Sequence, residues 1–285
     1  MTGWFLDSSV NFLPQIVVGL ALVLALLAIA TRRRRPLAVA AVLIVGLVVA
    51  LTGYKATLQG RAGPGDLRLM TANLLFSNTN VGAVISAIRL RDPDILVVQE
   101  RVPFWVEVLE SLEPELIFLV QSPSSNTAIY YRPERVSACA PPTLDQPQIS
   151  NAAVGCLRLN GRETLVLGVH APRPKDSFAV GERAASLASY RAVLAEARTS
   201  ALVAGDLNGT PLAPSVAGFI SDTRLSVPLE GGPWFVPSWP AAMPALGVRI
   251  DQVLTSSEFG ARLVAVGPPI GSDHLPVTVE ISLPE

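Results

Sequence analysis

Two histidines occur in this 285-residue chain, and each closes a polar motif behind an apolar run. His170 ends Leu165-Val166-Leu167-Gly168-Val169-His170, and His274 ends Gly271-Ser272-Asp273-His274. Gly205-Asp206-Leu207-Asn208 and Arg249-Ile250-Asp251 lie between them, while Thr71-Ala72-Asn73 and Val98-Gln99-Glu100 lie upstream. Carboxylates hold hard cations, a carboxylate or imidazole orients water, and imidazolium and amide groups donate to charge developing on phosphoryl oxygens. The set has the types needed for metal-assisted hydrolysis of a phosphate ester. Singly, each motif has a plainer reading. Gly-Asp-x-Asn is also a turn, Glu100 also a surface carboxylate at a strand end, and a lone histidine also a structural one. Their shared position behind β-like runs is what points to a single rim of a sheet.

The elements that must carry these groups follow from pattern. Residues 67–72 read as a strand ending at Asn73. Val81, Val84, Ile85 and Ile88 have helical spacing over residues 80–90, with Asn80 as N-cap and Pro93 and Asp94 beyond the end. Residues 95–98 form a buried strand delivering Gln99 and Glu100. A second helix spans residues 102–112, with Pro103 in its first turn. Strands follow at 128–131, around Val136, at 154–159 and at 164–169, the last ending at His170. A third helix covers 181–199, and strand 201–204 delivers Asp206. Strands at 248–255, 261–266 and 277–281 are expected to complete a second sheet.

This order implies an α/β fold: a four-layer α/β sandwich of two packed mixed sheets with outer helices. A doubly wound dinucleotide fold is the rival, but the first strand runs into Asn73-Leu74-Leu75-Phe76 with no glycine-rich turn. Walker, H-E-x-x-H, G-x-S-x-G and paired C-x-x-C patterns are also absent. Cys139 and Cys156 lie 17 positions apart near the ends of strand-like runs. A disulfide and two buried thiols are both open there.

The chain is 50% hydrophobic, and the excess is concentrated at its start. Residues 12–30 and 37–54 are uncharged runs of 19 and 18 residues, near the length that crosses a bilayer. Arg32-Arg33-Arg34-Arg35-Pro36 separates them. A signal peptide fits the first run poorly, because no basic segment precedes it and a second apolar run follows. The expectation is a transmembrane hairpin over 1–54, a linker over 55–66 and a catalytic domain over 67–285. Four arginines in the turn place it in the cytoplasm by the positive-inside rule. The protein is then a multi-pass membrane protein with an extracytoplasmic domain. From Ala62 onward, 16 basic residues face 22 acidic ones, a poor match to a surface that grips nucleic acid.

The motifs occur in the order Asn73, Gln99-Glu100, His170, Gly205-Asp206-Leu207-Asn208, Ile250-Asp251 and Ser272-Asp273-His274. In this the domain resembles the endonuclease/exonuclease/phosphatase superfamily, which includes pancreatic deoxyribonuclease, abasic-site endonucleases, neutral sphingomyelinases and inositol polyphosphate phosphatases. The resemblance implies Glu100 as the principal carboxylate for Mg2+, with Mn2+ the alternative, and Asn73 and Asp273 as its helpers. It implies Asp206 as the group that orients or deprotonates water, and Asn208 as a donor to a phosphoryl oxygen. His274, held by Asp251, would contact the scissile phosphate, and His170 would stabilise it or protonate the leaving oxygen.

No acidic residue follows Asn73 closely, a departure from the abasic-site endonucleases. The helices and outer domain together resemble a narrower bacterial group associated with resistance to teicoplanin-type glycopeptides. The implied activity is that of a membrane-anchored phosphoric ester hydrolase acting on an extracytoplasmic lipid-linked phosphate ester, a phospholipid or polyprenyl phosphate. A metal-dependent nuclease and a non-catalytic binding protein are the alternatives. Trp234, Phe235 and Trp239 would wall a lipid site or simply pack over the end of the sandwich. Arg173 and Lys175 would hold a second phosphate or stay solvated.

Overall fold

Strands rich in Val, Leu and Ile and buried on both faces can lie only at the centre of a layered domain. Among the strands whose burial is described, three are buried along their whole length, β2 (Ile95–Gln99), β4 (Ala128–Tyr131) and β9 (Asp251–Thr255). A computed structural model describes residues 7–32, 34–58, 67–142, 149, 151–228 and 236–283. It places these strands in two mixed sheets.

The first sheet has the order β10-β11-β1-β2-β4-β3, with β1 at Leu67–Asn73, β3 at Ile117–Gln121, β10 at Gly260–Val266 and β11 at Val277–Ser282. The second has the order β5-β6-β7-β8-β9, with β5 at Ser137–Ala138, β6 at Ala152–Leu159, β7 at Arg162–His170 and β8 at Ser200–Asp206.

Leu69, Val97 and Ile129 of the first sheet meet Leu157, Val166 and Leu202 of the second in one apolar cluster. Outside the first sheet, α3 (Val81–Arg91) and α4 (Pro103–Glu110) bury Val84, Ile88, Trp105 and Leu109. Outside the second, α5 (Ser177–Ala197) and α6 (Pro214–Thr223) bury Leu187, Tyr190, Val216 and Phe219. The layers run helix, sheet, sheet, helix, as the sequence pattern implies.

Local rules set the helix starts. The Asn80 side chain accepts from the Ala83 N–H, and Asp176 accepts from the Ala179 N–H. The Asp176 cap starts α5 at Ser177, four residues before the expected boundary. Pro103 and Pro214 occupy first-turn positions, where their missing N–H costs nothing.

The sequence expectation for the second sheet is wrong in one respect. Strand β9 does belong to it, paired with β8, but β10 and β11 extend the first sheet beside β1. Apolar alternation shows that a strand is half or fully buried; it does not say which neighbour it pairs with. The helix Pro214–Thr223 and the strand Ile117–Gln121 are additions to the sequence reading, as is a start of β9 at Asp251 rather than Val248.

Cys139 and Cys156 form a disulfide next to the pairing of β5 with β6, where the Cys139 N–H also donates to the Cys156 carbonyl. This removes the alternative of two thiols.

At the N-terminal side, α1 (Leu13–Thr31) and α2 (Arg35–Leu58) pack against each other. Among the described residues, one helical stretch, Asp7–Thr31, is long and apolar enough to cross a membrane by length and composition. The rest of the expected linker, residues 59–66, lies outside the described residues, as do Trp234 and Phe235.

Candidate active site

Each sheet contains one parallel pair joined through a helix: β1-α3-β2 in the first and β7-α5-β8 in the second. Ligands in parallel α/β arrangements gather at the carboxyl ends of such strands. Here those ends carry Asn73 on β1, Gln99 and Glu100 after β2, His170 on β7 and Asp206 on β8.

The register is what makes a site of them. His170 is paired with Asp206, and Asp206 with Asp251 on β9, so three ionisable groups stand in one cross-strand row. Directly opposed residues in adjacent strands project to the same face. The first sheet brings Asn73 level with Gln99.

Asp206 is the focus. Its Oδ2 lies 3.8 Å from His170 Nε2 and 3.8 Å from His274 Nε2. The same oxygen accepts from Asn73 Nδ2 at 3.3 Å and from Asn208 Nδ2 at 3.2 Å, while Oδ1 accepts from the Asn208 N–H at 2.7 Å. Asp206 is 1% exposed. Burial, followed by the charge of Asp251, pushes its pKa up to about 6, against the opposing pull of His274, His170 and the Asn208 N–H.

His274 Nδ1 is 2.8 Å from Asp251 Oδ2. Asp251 is itself held by the Ser238 hydroxyl oxygen, which accepts from the N–H groups of Ile250 and Asp251. Burial alone would lower the imidazole pKa. The charge and hydrogen bond of Asp251, with Asp206 and Asp273, more than reverse this and raise it to about 10. His274 is therefore an imidazolium at neutral pH, with Nε2 turned toward Asp206.

Glu100 occupies the other side. It sits at φ 57°, in the left-handed region, immediately after β2. Its Oε2 accepts from the Phe76 N–H at 2.8 Å and its Oε1 from Asn73 Nδ2 at 3.1 Å. Asn73 thus bridges the two carboxylates that come from different sheets.

Two glycines are dictated by backbone approach. Gly205 has φ +144°, and a Cβ there would fall 1.9 Å from the Val169 carbonyl oxygen. Gly271 has φ +87°, and a Cβ would fall 2.4 Å from Asn78 Oδ1. No side chain fits either position, so the end of β8 and the turn before Ser272 require glycine.

These groups line a cleft of about 410 Å³. Asn73, Glu100, His170, Asp206, Asn208 and His274 all face it, with Asp251 behind His274. Asp273 does not line it. Asp273 is exposed, and its Oδ2 accepts from the Trp239 indole N–H at 3.1 Å. Asn208 is engaged as well: Nδ2 donates to the Ala171 carbonyl at 2.9 Å and to Asp206. In this arrangement Asn208 positions Asp206, and direct donation to a phosphoryl oxygen would require it to give up one of those bonds. Arg173 lies over the Trp239 ring, 5.5 Å from its centroid, at the lip of the cleft.

Residues that the sequence did not single out also reach the cleft. Ser8, Asn11 and Phe12 form part of its wall. Phe12 opens the first apolar run, and only the polar character of Ser8 and Asn11 so close to that run could have marked them.

The donor set suits a hard divalent cation. Glu100 and Asp206 offer oxygens, whereas Asn73 turns Nδ2 to both of them and Oδ1 to the Leu75 N–H, so that it would ligate with its amide reversed. The acidic excess of Glu100, Asp206 and Asp251 is concentrated at the cleft and behind it. A second group of ligand atoms, from Asp206, Asp251 and His274, lies within 4.8 Å of one another. There, however, the Asp251 bond already occupies His274 Nδ1.

Residues 70–274 match the model of the endonuclease/exonuclease/phosphatase family, and the chain belongs to that family. No curated protein sequence matches the chain. Among solved structures, an endonuclease/exonuclease/phosphatase family protein from Bacteroides thetaiotaomicron superposes with a TM-score of 0.61 at 19% identity, covering 77% of this chain and 98% of that one. The mannosyl-6-phosphatase of the same organism superposes with a TM-score of 0.60 at 18% identity, covering 76% and 99%. D. rerio TDP2 in complex with a single-strand DNA product gives 0.59 at 17% identity, covering 75% and 98%. At these identities the likeness is one of fold. Members of the family are hydrolases of phosphate esters that depend on a divalent metal, and this chain carries their fold and a matching donor set.

Proposed function

We propose that the protein is a membrane-anchored, Mg2+-dependent phosphoesterase that hydrolyses a lipid-linked phosphate ester outside the cytoplasm. The observation carrying the hydrolytic part is the convergence on Asp206 Oδ2 of two imidazoles and two amides drawn from both sheets.

In this mechanism Asp206 orients water and accepts its proton. Its raised pKa, near 6, makes it a better base than an exposed carboxylate while leaving it ionised at neutral pH. The His274 imidazolium, fixed by Asp251, donates from Nε2 to a phosphoryl oxygen as charge builds there. His170, less buried and level with Asp206, protonates the leaving oxygen. Glu100 with Asn73 would hold the cation, which when bound supplies Lewis-acid stabilisation of the phosphoryl oxygens. We choose this pair over the Asp206, Asp251 and His274 group because Glu100 faces the open cleft and leaves the Asp251–His274 bond intact.

Two features support the lipid part. The outer surface of α1 is apolar and bare, with Leu22, Leu26 and Ile29 61%, 66% and 73% exposed. Such a surface needs a bilayer to cover it. The start of α1 touches the domain, whereas Arg32, Arg34 and Arg35 lie at its far end. A helix of 19 residues at 1.5 Å per residue separates the two by about 28 Å. With the arginines in the cytoplasm, the catalytic domain is outside.

The test is a substrate panel on the full-length, detergent-purified protein with Mg2+: phospholipids, polyprenyl phosphates, soluble phosphate esters and DNA. Turnover of a lipid phosphate, abolished by chelation, is the expected result. Turnover of DNA alone or of soluble esters alone would overturn the lipid reading, and activity that survives exhaustive chelation would overturn the cation. Protease added to intact spheroplasts should digest the domain; protection until lysis would reverse the topology.

A further inference from the structure

The helix that leads into the apolar span does not hang free of the domain. Asp7 is 5% exposed, and its Oδ2 accepts from Arg183 Nη1 on α5 at 2.9 Å. The same carboxylate accepts from the Ser215 N–H at 2.9 Å and from the Ser215 hydroxyl at 2.7 Å, so it closes the first turn of α6. One turn on, Asn11 Oδ1 accepts from the N–H of Thr210 at 2.7 Å and from its hydroxyl at 2.8 Å. Another turn on, Gln15 Nε2 donates to the Gly247 carbonyl at 2.7 Å. Asp7, Asn11 and Gln15 are four apart and share one helical face. Val10 packs against the apolar cluster beneath α5 and α6. Arg183 is 1% exposed, and a buried guanidinium is costly unless its carboxylate stays in place.

The face so docked borders the catalytic residues. Ser8, Asn11 and Phe12 share the cleft with His170, Asp206 and His274, and the Ser8 hydroxyl donates to the carbonyl of Pro174 at the lip. Bare apolar surface begins within a turn of Phe12: Leu13 is 41% exposed and Ile16 52%. At 1.5 Å per residue, the wall of the cleft is then roughly 6 Å along the axis from side chains that belong in hydrocarbon. A phosphate in the cleft sits at headgroup depth.

We infer that the first two turns of the membrane-directed helix are a wall of the active cleft, bolted to the domain through Asp7, Asn11 and Gln15, and that they fix the mouth at the bilayer surface so that the enzyme selects phosphate esters whose tails remain in the membrane. This rests on the lipid-phosphate reading above and assigns Asp7 and Gln15 as positioning residues for it.

The test uses the full chain in phosphatidylcholine nanodiscs. The variants are Asp7→Ala/Gln15→Leu, which loosens the docking, and Gln15→Leu alone, which keeps the Arg183 pair. The probes are long-chain phosphatidylglycerol and undecaprenyl diphosphate in the bilayer, each set against its soluble short-chain counterpart, dibutyryl phosphatidylglycerol and geranyl diphosphate. Amide exchange of the segment containing Thr210 and Ser215 reads the docking without any substrate.

The double variant should speed that exchange by about a hundredfold or more, the effect of removing one partner of a buried pair. It should lower kcat/KM on the bilayer substrate by about tenfold more than on its short-chain counterpart. Gln15→Leu should do the same to a smaller degree. Unchanged exchange in both variants would overturn the docking. Faster exchange with equal losses on both substrate forms, or with no loss on either, would overturn the selection; both results leave the lipid reading intact. A parent enzyme that turns over only short-chain esters would instead defeat the lipid reading, and the selection with it.

Discussion

The two sides of the cleft are built differently. On one side Asp206, Asp251 and His274 are 1%, 1% and 6% exposed, and each is held by at least one short hydrogen bond. On the other, Glu100 is only partly buried, in a left-handed turn, with a backbone N–H and an amide as partners. The sealed side has fixed charges whose pKa values are driven apart, Asp206 to about 6 and His274 to about 10. The open side has a half-buried carboxylate that lines the cleft. Proton chemistry needs the first environment, because low polarity and a fixed partner set the protonation states. Cation exchange needs the second, because a hydrated ion must enter and shed water.

Substitutions should separate the sides. The largest effect is expected from Asp206→Asn, which keeps the shape and removes the base; kcat should fall by about 10⁴-fold, at the upper end for a general base. His274→Ala should cost about 10³-fold, the range for one preorganised donor to a transition state. Neither loss should respond to added Mg2+. Recovery of either variant at high Mg2+ would erase the distinction between the sides.

Glu100→Ala should likewise abolish turnover at ordinary Mg2+ but differ in kind, since it weakens the ion's affinity, measurable by calorimetry. Partial rescue at high Mg2+ or Mn2+ would sharpen the comparison; unaltered cation affinity would break it.

The pH profile gives a smaller but directional effect. Activity should rise with pH through about 6 as Asp206 loses its proton, and fall through about 10 as His274 loses its own. Asp251→Asn removes the charge and weakens the bond that raise the His274 pKa, so the alkaline limb should move to lower pH. An unmoved limb would assign it to another group. Asp273→Asn should have the smallest effect, within about tenfold in kcat/KM, because its carboxylate reaches the Trp239 indole rather than the cleft. A loss equal to that of Glu100→Ala would return Asp273 to the cation.

Much of this was legible in the sequence because the site sits where apolar strands stop. The runs before Asn73, Glu100, His170 and Asp206 mark the ends of strands that must be buried, and Asn80 and Pro103 mark helix starts by local chemistry alone. What could not be read is pairing. Nothing in residues 260–266 or 277–282 tells that they join β1 rather than β9. Helix α6 carried a signal that was there to find: Pro214 in the first turn and Val216, Phe219 and Ile220 at helical spacing. The docking by Asp7 and Asn11 was opaque for a different reason. Their partners, Arg183, Ser215 and Thr210, lie about two hundred residues away, and a polar residue ahead of an apolar run reads as an ordinary helix start.

The Asp7–Arg183 pair has a practical consequence for handling the enzyme. A shortened chain beginning at Leu67 would keep every group from Asn73 to His274 and look like a complete soluble hydrolase. It would also strand the Arg183 guanidinium in the interior and leave the first turn of α6 without its cap. Removing one partner of a buried pair costs about 3–5 kcal/mol, a large part of the 5–15 kcal/mol that keeps a typical domain folded. Such a chain should express poorly and be cut readily by proteases near residues 209–215. Arg183→Met in the same shortened chain should recover much of the yield by filling the space without the charge. Kinetics gathered on the unrepaired version would describe a loosened cleft.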